Sequence, residues 1–310
     1  MKPIVTLTLN PTIDGSSSAE RIIPLRKIRT SDERYHPGGG GINVARVAQE
    51  LGANALALYF AGGAPGTLLE ELLKSAALDA QRIPIRGYTR IAHTVFERAS
   101  GQEYRFVPDG PEISPEEWNA CLSALEKHDF DYIVASGSLP RGLPVDAYHQ
   151  VIDIASRKQA RVILDTSGAA LRATLDKGVY LVKPSIGELE GLFGHPLRDP
   201  EAAARTLIEA GNAEIVAVTL GRDGALLVTN DATWRLKAPS VEARSAVGAG
   251  DSFVAAITVA IVQGWPLDSA FAYAVAAGTA AVLSPGAELA RSADVERLYA
   301  TLRGAPSNHP

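Results

Sequence analysis

Arg244-Ser245-Ala246-Val247-Gly248-Ala249-Gly250-Asp251-Ser252-Phe253 runs from a loop into an apolar helix. The first N–H groups of a helix lack intrahelical acceptors, and the helix dipole adds about half a positive charge at that end. Gly248 and Gly250 carry no side chain, so an anion can close on the amides. A carboxylate in that electropositive turn, Asp251, suits a phosphate under transfer with the attacking hydroxyl beside it. These ten residues alone leave a second reading open, an ordinary Asp cap after a Gly-Ala-Gly turn.

Outward from this turn, apolar strand-like runs alternate with helical segments. Ile4–Leu9, Ala55–Ala61, Tyr132–Ala135, Arg161–Leu164, Val179–Val182, Ile215–Val218 and Ala225–Val228 read as strands. Helices are expected over 42–51, 65–76, 145–158, 251–263, 267–283 and 292–303. Ser114-Pro115-Glu116-Glu117 is a capping box with Pro at the first helical position, opening a helix to about His128. This alternation predicts an α/β fold, a mostly parallel sheet covered on both faces. Residues 12–36 and 82–108 break the rhythm with polar–apolar alternation, as in His93-Thr94-Val95-Phe96-Glu97, the pattern of a sheet wetted on one side. Together they are expected to form a small β lid inserted into the main domain, with an ordinary pair of surface hairpins as the alternative.

The 310 residues, 46% of them hydrophobic, suffice for a large core in one big domain or two smaller ones. A formal charge of −5 without a basic tract argues against nucleic acid as a partner. One cysteine, Cys121, excludes an internal disulfide, and the six scattered histidines offer no zinc-ligand spacing. The N-terminus alternates like a strand rather than a signal peptide, and the apolar run 253–262 is too short to span a bilayer. A soluble, cytoplasmic protein with no membrane partner is expected.

Pro37-Gly38-Gly39-Gly40-Gly41-Ile42-Asn43 is the second strong signal. Four glycines before a helix leave backbone open for a ligand, and Asn43 then presents an amide able to meet sugar hydroxyls. The spacing fails the dinucleotide fingerprint. Asp14, Ser136-Gly137-Ser138, Lys183-Pro184-Ser185 and Thr219-Leu220-Gly221-Arg222-Asp223-Gly224 each follow an apolar strand, the position where parallel sheets bind ligands. Each also reads locally as a turn, and Ser185-x-x-Glu188 as a capping box. Glu188 could alternatively stand near a magnesium ion through water. Lys27, Arg29, Arg90 and Arg105 fall in the lid and could bind the phosphate of a phosphorylated sugar, or could be solvated surface. The chain has no Gly-Lys dipeptide, no protein-kinase motif set and no G-x-S-x-G elbow.

Residues 37–46 and 246–253 resemble the two signatures of the ribokinase-like (PfkB) carbohydrate kinases, with Asn10-Pro11-x-x-Asp14, Ser136-Gly137-Ser138-Leu139-Pro140, Lys183-Pro184 and Thr219-Leu220-Gly221 in matching order. The resemblance implies one three-layer αβα domain over 1–310 with a β-sheet lid, and a homodimer whose lids clasp each other. It implies ATP-dependent phosphorylation of a sugar phosphate, fructose 6-phosphate first, with tagatose 6-phosphate, fructose 1-phosphate, or an unphosphorylated sugar or nucleoside as alternatives. A non-catalytic sugar-binding regulator is the alternative outside enzymes. By likeness, Asp14, Gly38, Gly39, Asn43, Arg90 and Ser138 hold the sugar, and Lys27, Arg29 and Arg105 lie toward its phosphate. Lys183, Ser185, Thr219, Gly221 and Gly224 line the nucleotide. Asp251 is the base, with Gly248, Ala249 and Gly250 as anion hole. Mg2+ near Glu188, and K+ on carbonyls of Ser245, Val247 and Gly286, complete the implied set. Ser185 stands where the family has Asn, which shortens the reach toward metal and phosphate.

Overall fold

The structure, a computed structural model, describes residues 2–304. In chain order it runs β1 (Ile4–Thr8), β2 (Thr12–Ala19), β3 (Ser31–Gly38), α1 (Gly40–Glu50), β4 (Ala55–Ala61), α2 (Gly63–Ser75), β5 (Asp79–Pro84), β6 (Arg90–Glu97) and β7 (Gln102–Phe106). There follow α3 (Pro115–Lys127), β8 (Tyr132–Ser136), α4 (Tyr148–Arg157), β9 (Arg161–Asp165), α5 (Gly168–Leu175), β10 (Val179–Val182), α6 (Ile186–Phe193) and α7 (Pro200–Glu209). The chain closes with β11 (Ala213–Thr219), β12 (Ala225–Thr229), β13 (Thr233–Leu236), α8 (Ala249–Val262), α9 (Leu267–Ala281) and α10 (Ser292–Gly304).

Nine strands form one sheet in the order β13-β12-β11-β10-β9-β8-β1-β4-β5. All neighbouring pairs from β11 to β5 are parallel, and only the β11–β12–β13 end is antiparallel. A parallel sheet buried on both faces needs continuous apolar strands, and β4 meets this with all seven residues buried. Its alternate side chains feed two cores. Ala57 and Tyr59 join the one packed under α1, α2, α8, α9 and α10, whereas Leu56, Leu58 and Phe60 join the one under α3 to α7. The expected three layers are therefore present. The 253–262 run is the central helix of the first core, and no described helix is long and apolar enough to cross a membrane. Hydroxyls buried in these helices bond back one turn, Thr258 to the Val254 carbonyl and Thr279 to that of Val275.

The second sheet has the order β3-β2-β6-β7. Its register assigns the faces. Asp14 is opposite Ala92 and His36, Thr12 opposite Arg90, and Thr94 opposite Arg105, so Asp14, Arg90 and Arg105 share one face. Tyr35, Ile91, Tyr104 and Phe106 share the other, and all four are exposed.

Several expected boundaries shift. Residues 82–84 belong to β5 at the edge of the large sheet, not to the small one. The helix expected from 145 starts at Tyr148, because residues after Pro144 first form a turn with the Ala147 N–H on the Pro144 carbonyl. α5, α7 and the edge strands β5 and β13 went unread, and α6 was read only at its start, through the Ser185–Glu188 capping box. For α7 a signal existed, since Asp199 caps the helix through Glu201 and Ala202 N–H and Pro200 takes its first position.

Candidate active site

Parallel strands bring their carboxyl ends to one edge, and the candidate residues lie there because each follows such a strand. Asp14 follows β1, Ser138 follows β8, Lys183 follows β10 and Thr219 ends β11. The turn before α8 closes the same edge. Gly248 is left-handed at φ 73°, and the first helical N–H with a backbone acceptor is that of Ser252, on the Gly248 carbonyl at 2.8 Å. The amides of Ala249, Gly250 and Asp251 therefore point out of the helix start without a helical partner. A Cβ on Gly250 would meet only the Lys183 side chain, with Nζ 3.6 Å away, so the turn is open to a ligand and flanked by a cation.

Asp251 is joined to the glycine run. Asn43 Nδ2 donates to Asp251 Oδ2 at 2.9 Å, and Arg46 Nη1 donates to Asn43 Oδ1 at 3.4 Å and to the Pro37 carbonyl at 3.0 Å. Asn43, read as a sugar ligand, thus holds the carboxylate. Burial, then the Asp165 charge, push Asp251 up to about 7, against the Asn43 hydrogen bond and the Lys183 charge. A carboxylate near neutrality suits a general base.

Asp14 lies on the small sheet facing this cleft. A Cβ on Gly38 would stand 2.0 Å from Asp14 Oδ2, so the carboxylate rests on bare backbone. Burial raises the Asp14 pKa, opposed by Arg105, Arg90 and Arg46. Arg90 Nη1 donates to the Pro108 carbonyl at 3.0 Å and Nη2 to that of Asn10 at 2.8 Å, while its Nε is enclosed without a partner. Gly39, at φ 109°, lets the chain turn tightly against Pro11.

The nucleotide candidates form a second group. Thr219 N–H donates to the Pro184 carbonyl at 3.0 Å, zipping the segment after β10 to the β11–β12 turn. Gly221 faces open space, whereas a Cβ on Gly224 would stand 1.9 Å from the Leu236 carbonyl oxygen. Ser185 and Glu188 do form the capping box. Ser185 N–H donates to Glu188 Oε2 at 2.7 Å and Glu188 N–H to Ser185 Oγ at 3.3 Å. Among the described residues no three His, Cys, Asp or Glu side chains cluster as a metal cage. The donor set fits a magnesium ion that would arrive on nucleotide oxygens and water, with Glu188 as the nearby carboxylate, rather than a resident site.

The remaining candidates fall into two groups. Lys27 and Arg29 lie in the exposed β2–β3 connection, and no described hydrogen bond or ion pair ties either to the cleft. Ser245, Val247 and Gly286 sit on adjoining loops, since Arg244 N–H reaches the Val282 carbonyl at 2.8 Å and Leu289 presses on Gly248.

Sequence reasoning missed Asp165, which pairs with Lys183 at 3.0 Å. Its setting, Leu164-Asp165-Thr166-Ser167-Gly168, reads as an ordinary turn. It also gave Asn10 no role, although Asn10 Nδ2 donates to the Asp109 carbonyl at 3.0 Å and to Ser138 Oγ at 3.2 Å, tying those two loops to the end of β1.

A profile described as pfkB family carbohydrate kinase matches residues 9–293. The chain belongs to this family. The ATP-dependent 6-phosphofructokinase isozyme 2 of Mycobacterium tuberculosis (strain CDC 1551 / Oshkosh) is 44% identical over 301 residues, 96% of this chain and 88% of that one. The 1-phosphofructokinase of Bacillus subtilis (strain 168) is 35% identical over 285 residues, 91% and 93% of the two chains. The crystal structure of Escherichia coli phosphofructokinase-2 in complex with fructose-6-phosphate superposes with a TM-score of 0.92 at 37% identity, covering 98% of this chain and 100% of that one. As a pfkB kinase the chain is a phosphotransferase, and its two sheets are those of the ribokinase-like fold.

Proposed function

We propose that this pfkB kinase transfers the terminal phosphoryl group of ATP to the free primary hydroxyl of fructose 6-phosphate. One observation carries the reading: the Asp251 carboxylate and the bare amides of 249–251 open on the same edge as Asp14 with Arg90 and Arg105. Two guanidinium groups beside an acidic sugar clamp favour an acceptor that already bears a phosphate.

Asp14 and Ser138 hold sugar hydroxyls over Gly38 and Gly39, and Arg90 and Arg105 meet the sugar phosphate. Asp251 takes the proton of the attacking hydroxyl. The amides of Ala249, Gly250 and Asp251, with the Lys183 ammonium, receive charge spreading onto the moving group, and no covalent intermediate is needed. Thr219, Gly221 and Gly224 line the nucleotide side, with the Ser185–Glu188 turn beside it. Magnesium supplies charge neutralisation of the nucleotide oxygens. Carbonyls of Ser245, Val247 and Gly286 would hold a potassium ion.

The small sheet acts as a lid that excludes water. Its outer face, with Tyr35, Ile91, Tyr104 and Phe106 exposed, is suited to burial against a second copy, giving a homodimer. Lys27 and Arg29, exposed on the β2–β3 connection and without a described hydrogen bond or ion pair, remain available to the sugar phosphate. The buried free thiol of Cys121 fits a reducing cytoplasm.

Fructose 1-phosphate is the competing acceptor, because the Bacillus relative is named 1-phosphofructokinase. Coupled ADP-release assays on fructose 6-phosphate, fructose 1-phosphate, tagatose 6-phosphate, fructose and ribose test the reading. The largest kcat/KM is expected for fructose 6-phosphate, and ADP release indifferent to every sugar would refute a sugar-kinase role.

A further inference from the structure

Three neighbouring strand ends carry a contact that the reaction above does not use. Ser136 pairs with Asp165 in the β8–β9 ladder, and Leu164 with Val182 in the β9–β10 ladder, so Asp165 and Lys183 emerge side by side. Lys183 Nζ lies 3.0 Å from Asp165 Oδ1, with side chains only 6% and 13% exposed. Ser136 Oγ donates to Asp165 Oδ2 at 3.5 Å. Beyond this pair, the ammonium stands 3.6 Å from the point a Gly250 Cβ would occupy, at the start of α8.

An enclosed ion pair is a poor source of stability, since desolvation offsets most of its attraction. It is a good way to hold one conformer of a four-carbon chain that otherwise has many. Phosphoryl transfer depends on charge already in place when the transition state forms, so fixing an ammonium at the helix start has catalytic value.

We propose that Asp165 is a positioning residue that anchors the Lys183 ammonium beside Gly250, where the transferred group meets the helix. This rests on the assignment of Asp251 and residues 248–250 to phosphoryl transfer. The charge of Asp165 also acts on Asp251. The polar groups facing Asp251 are Asn43 from α1, Asp14 from β2, Asp165 from β9 and Lys183 after β10, of which Asp165 and Asp14 raise its pKa and Asn43 and Lys183 lower it. For Lys183 itself, burial lowers the pKa, but Asp165, Glu188 and Asp251 outweigh it and keep the ammonium charged.

Asp165→Asn tests this by initial rates in both substrates across pH. Loss of the anchor is expected to lower kcat about 10²-fold, as a displacement near 1 Å does. The KM for fructose 6-phosphate should stay within about twofold, because only interactions made in the transition state are removed. The acid limb of kcat should move to lower pH, since a negative neighbour of Asp251 is gone. A kcat within about threefold of wild type, with an unmoved acid limb, overturns the proposal.

Because an unpaired buried lysine can unfold the chain, Lys183→Met is compared with Lys183→Met/Asp165→Asn, in which neither charge is left alone. If Asp165 acts through Lys183, the two kcat values agree within about threefold, whereas a further tenfold or larger loss in the double variant overturns the proposal. Asp251→Asn separates the two levels. Near-normal turnover there ends the phosphoryl-transfer assignment, whereas an inactive Asp251→Asn beside a normal Asp165→Asn ends only this inference.

Discussion

Asn43 Nδ2 donates to Asp251 Oδ2 at 2.9 Å across 208 residues of sequence, joining the first turn of α1 to that of α8. Arg46, three residues further on in α1, reaches Asn43 Oδ1 at 3.4 Å, which turns the amide nitrogen toward the carboxylate. The glycine run and the helix that carries Asp251 are thus held in one geometry. One carboxylate oxygen is committed to Asn43, and the other takes part in no described hydrogen bond.

Because that hydrogen bond stabilises the ionised form of Asp251, Asn43→Ala should raise its pKa further above about 7. The acid limb of the kcat/KM profile is expected to shift upward in pH. Loss of rate should be larger at pH 7 than at pH 9. A parallel drop at every pH would leave Asn43 as a packing residue only.

In the wild-type enzyme, kcat/KM should fall about tenfold per unit as pH drops below the Asp251 pKa of about 7, because a protonated base cannot accept the hydroxyl proton. Asp251→Asn should lose about 10²–10⁴ in kcat while sugar binding, measured by calorimetry, is kept.

The same carboxylate costs stability. Its pKa is raised from 3.8 to about 7 on folding, so between those values the folded form holds a proton that the unfolded form releases. Stability then declines as pH rises through this window, and the full penalty stands above it. Asp251→Asn should therefore melt higher than wild type at pH 8, and the gap should shrink toward pH 4. Thermal melts at the two pH values check the sign.

Gly38→Ala isolates the sugar side. A Cβ at that position would stand 2.0 Å from Asp14 Oδ2 and must displace it, while the backbone itself is not in the left-handed region. The expected result is a KM for fructose 6-phosphate raised about tenfold or more, the scale of a lost charge-assisted hydrogen bond, with the KM for ATP little changed. Equal effects on both substrates would detach Asp14 from the sugar.

Arg90→Ala should act on the same parameter more strongly. It removes two bonds that tie the Asn10 and Pro108 carbonyls together, at 2.8 and 3.0 Å, as well as the enclosed Nε aimed at no protein group. Selectivity should shift toward unphosphorylated fructose relative to fructose 6-phosphate, which competition assays would report.

The outer face of the small sheet is tested by Phe106→Asp, at a residue 58% exposed within the single chain. A charge placed in a dimer seam should yield monomers in sedimentation experiments, with activity falling in step. A dimer that persists would move the interface elsewhere.

Much of this molecule was legible in its residues because the relevant signals are local. Buried strands had to be apolar throughout, so β4 and β10 could be bounded to the residue. Ser114 with Glu117, and Ser185 with Glu188, announced helix starts through bonds three residues apart. The β5 strand escaped because, at the sheet edge, only Ile83 of its six residues is buried. Lys27 and Arg29 are ligand candidates by type alone, since both lie exposed on the β2–β3 connection without a described hydrogen bond or ion pair.

Sequence by itself determined the alternation of parallel strands and helices, the bare helix start, and the presence of Asp251 on it. Each of these depends on residues within a few positions of one another. The tertiary structure alone decided which side chains meet there: Asn43 with Asp251, Lys183 with Asp165, Asp14 over Gly38. Those meetings, and the proton affinity they impose on Asp251, follow from strand register and helix packing, which a local stretch of chain does not encode.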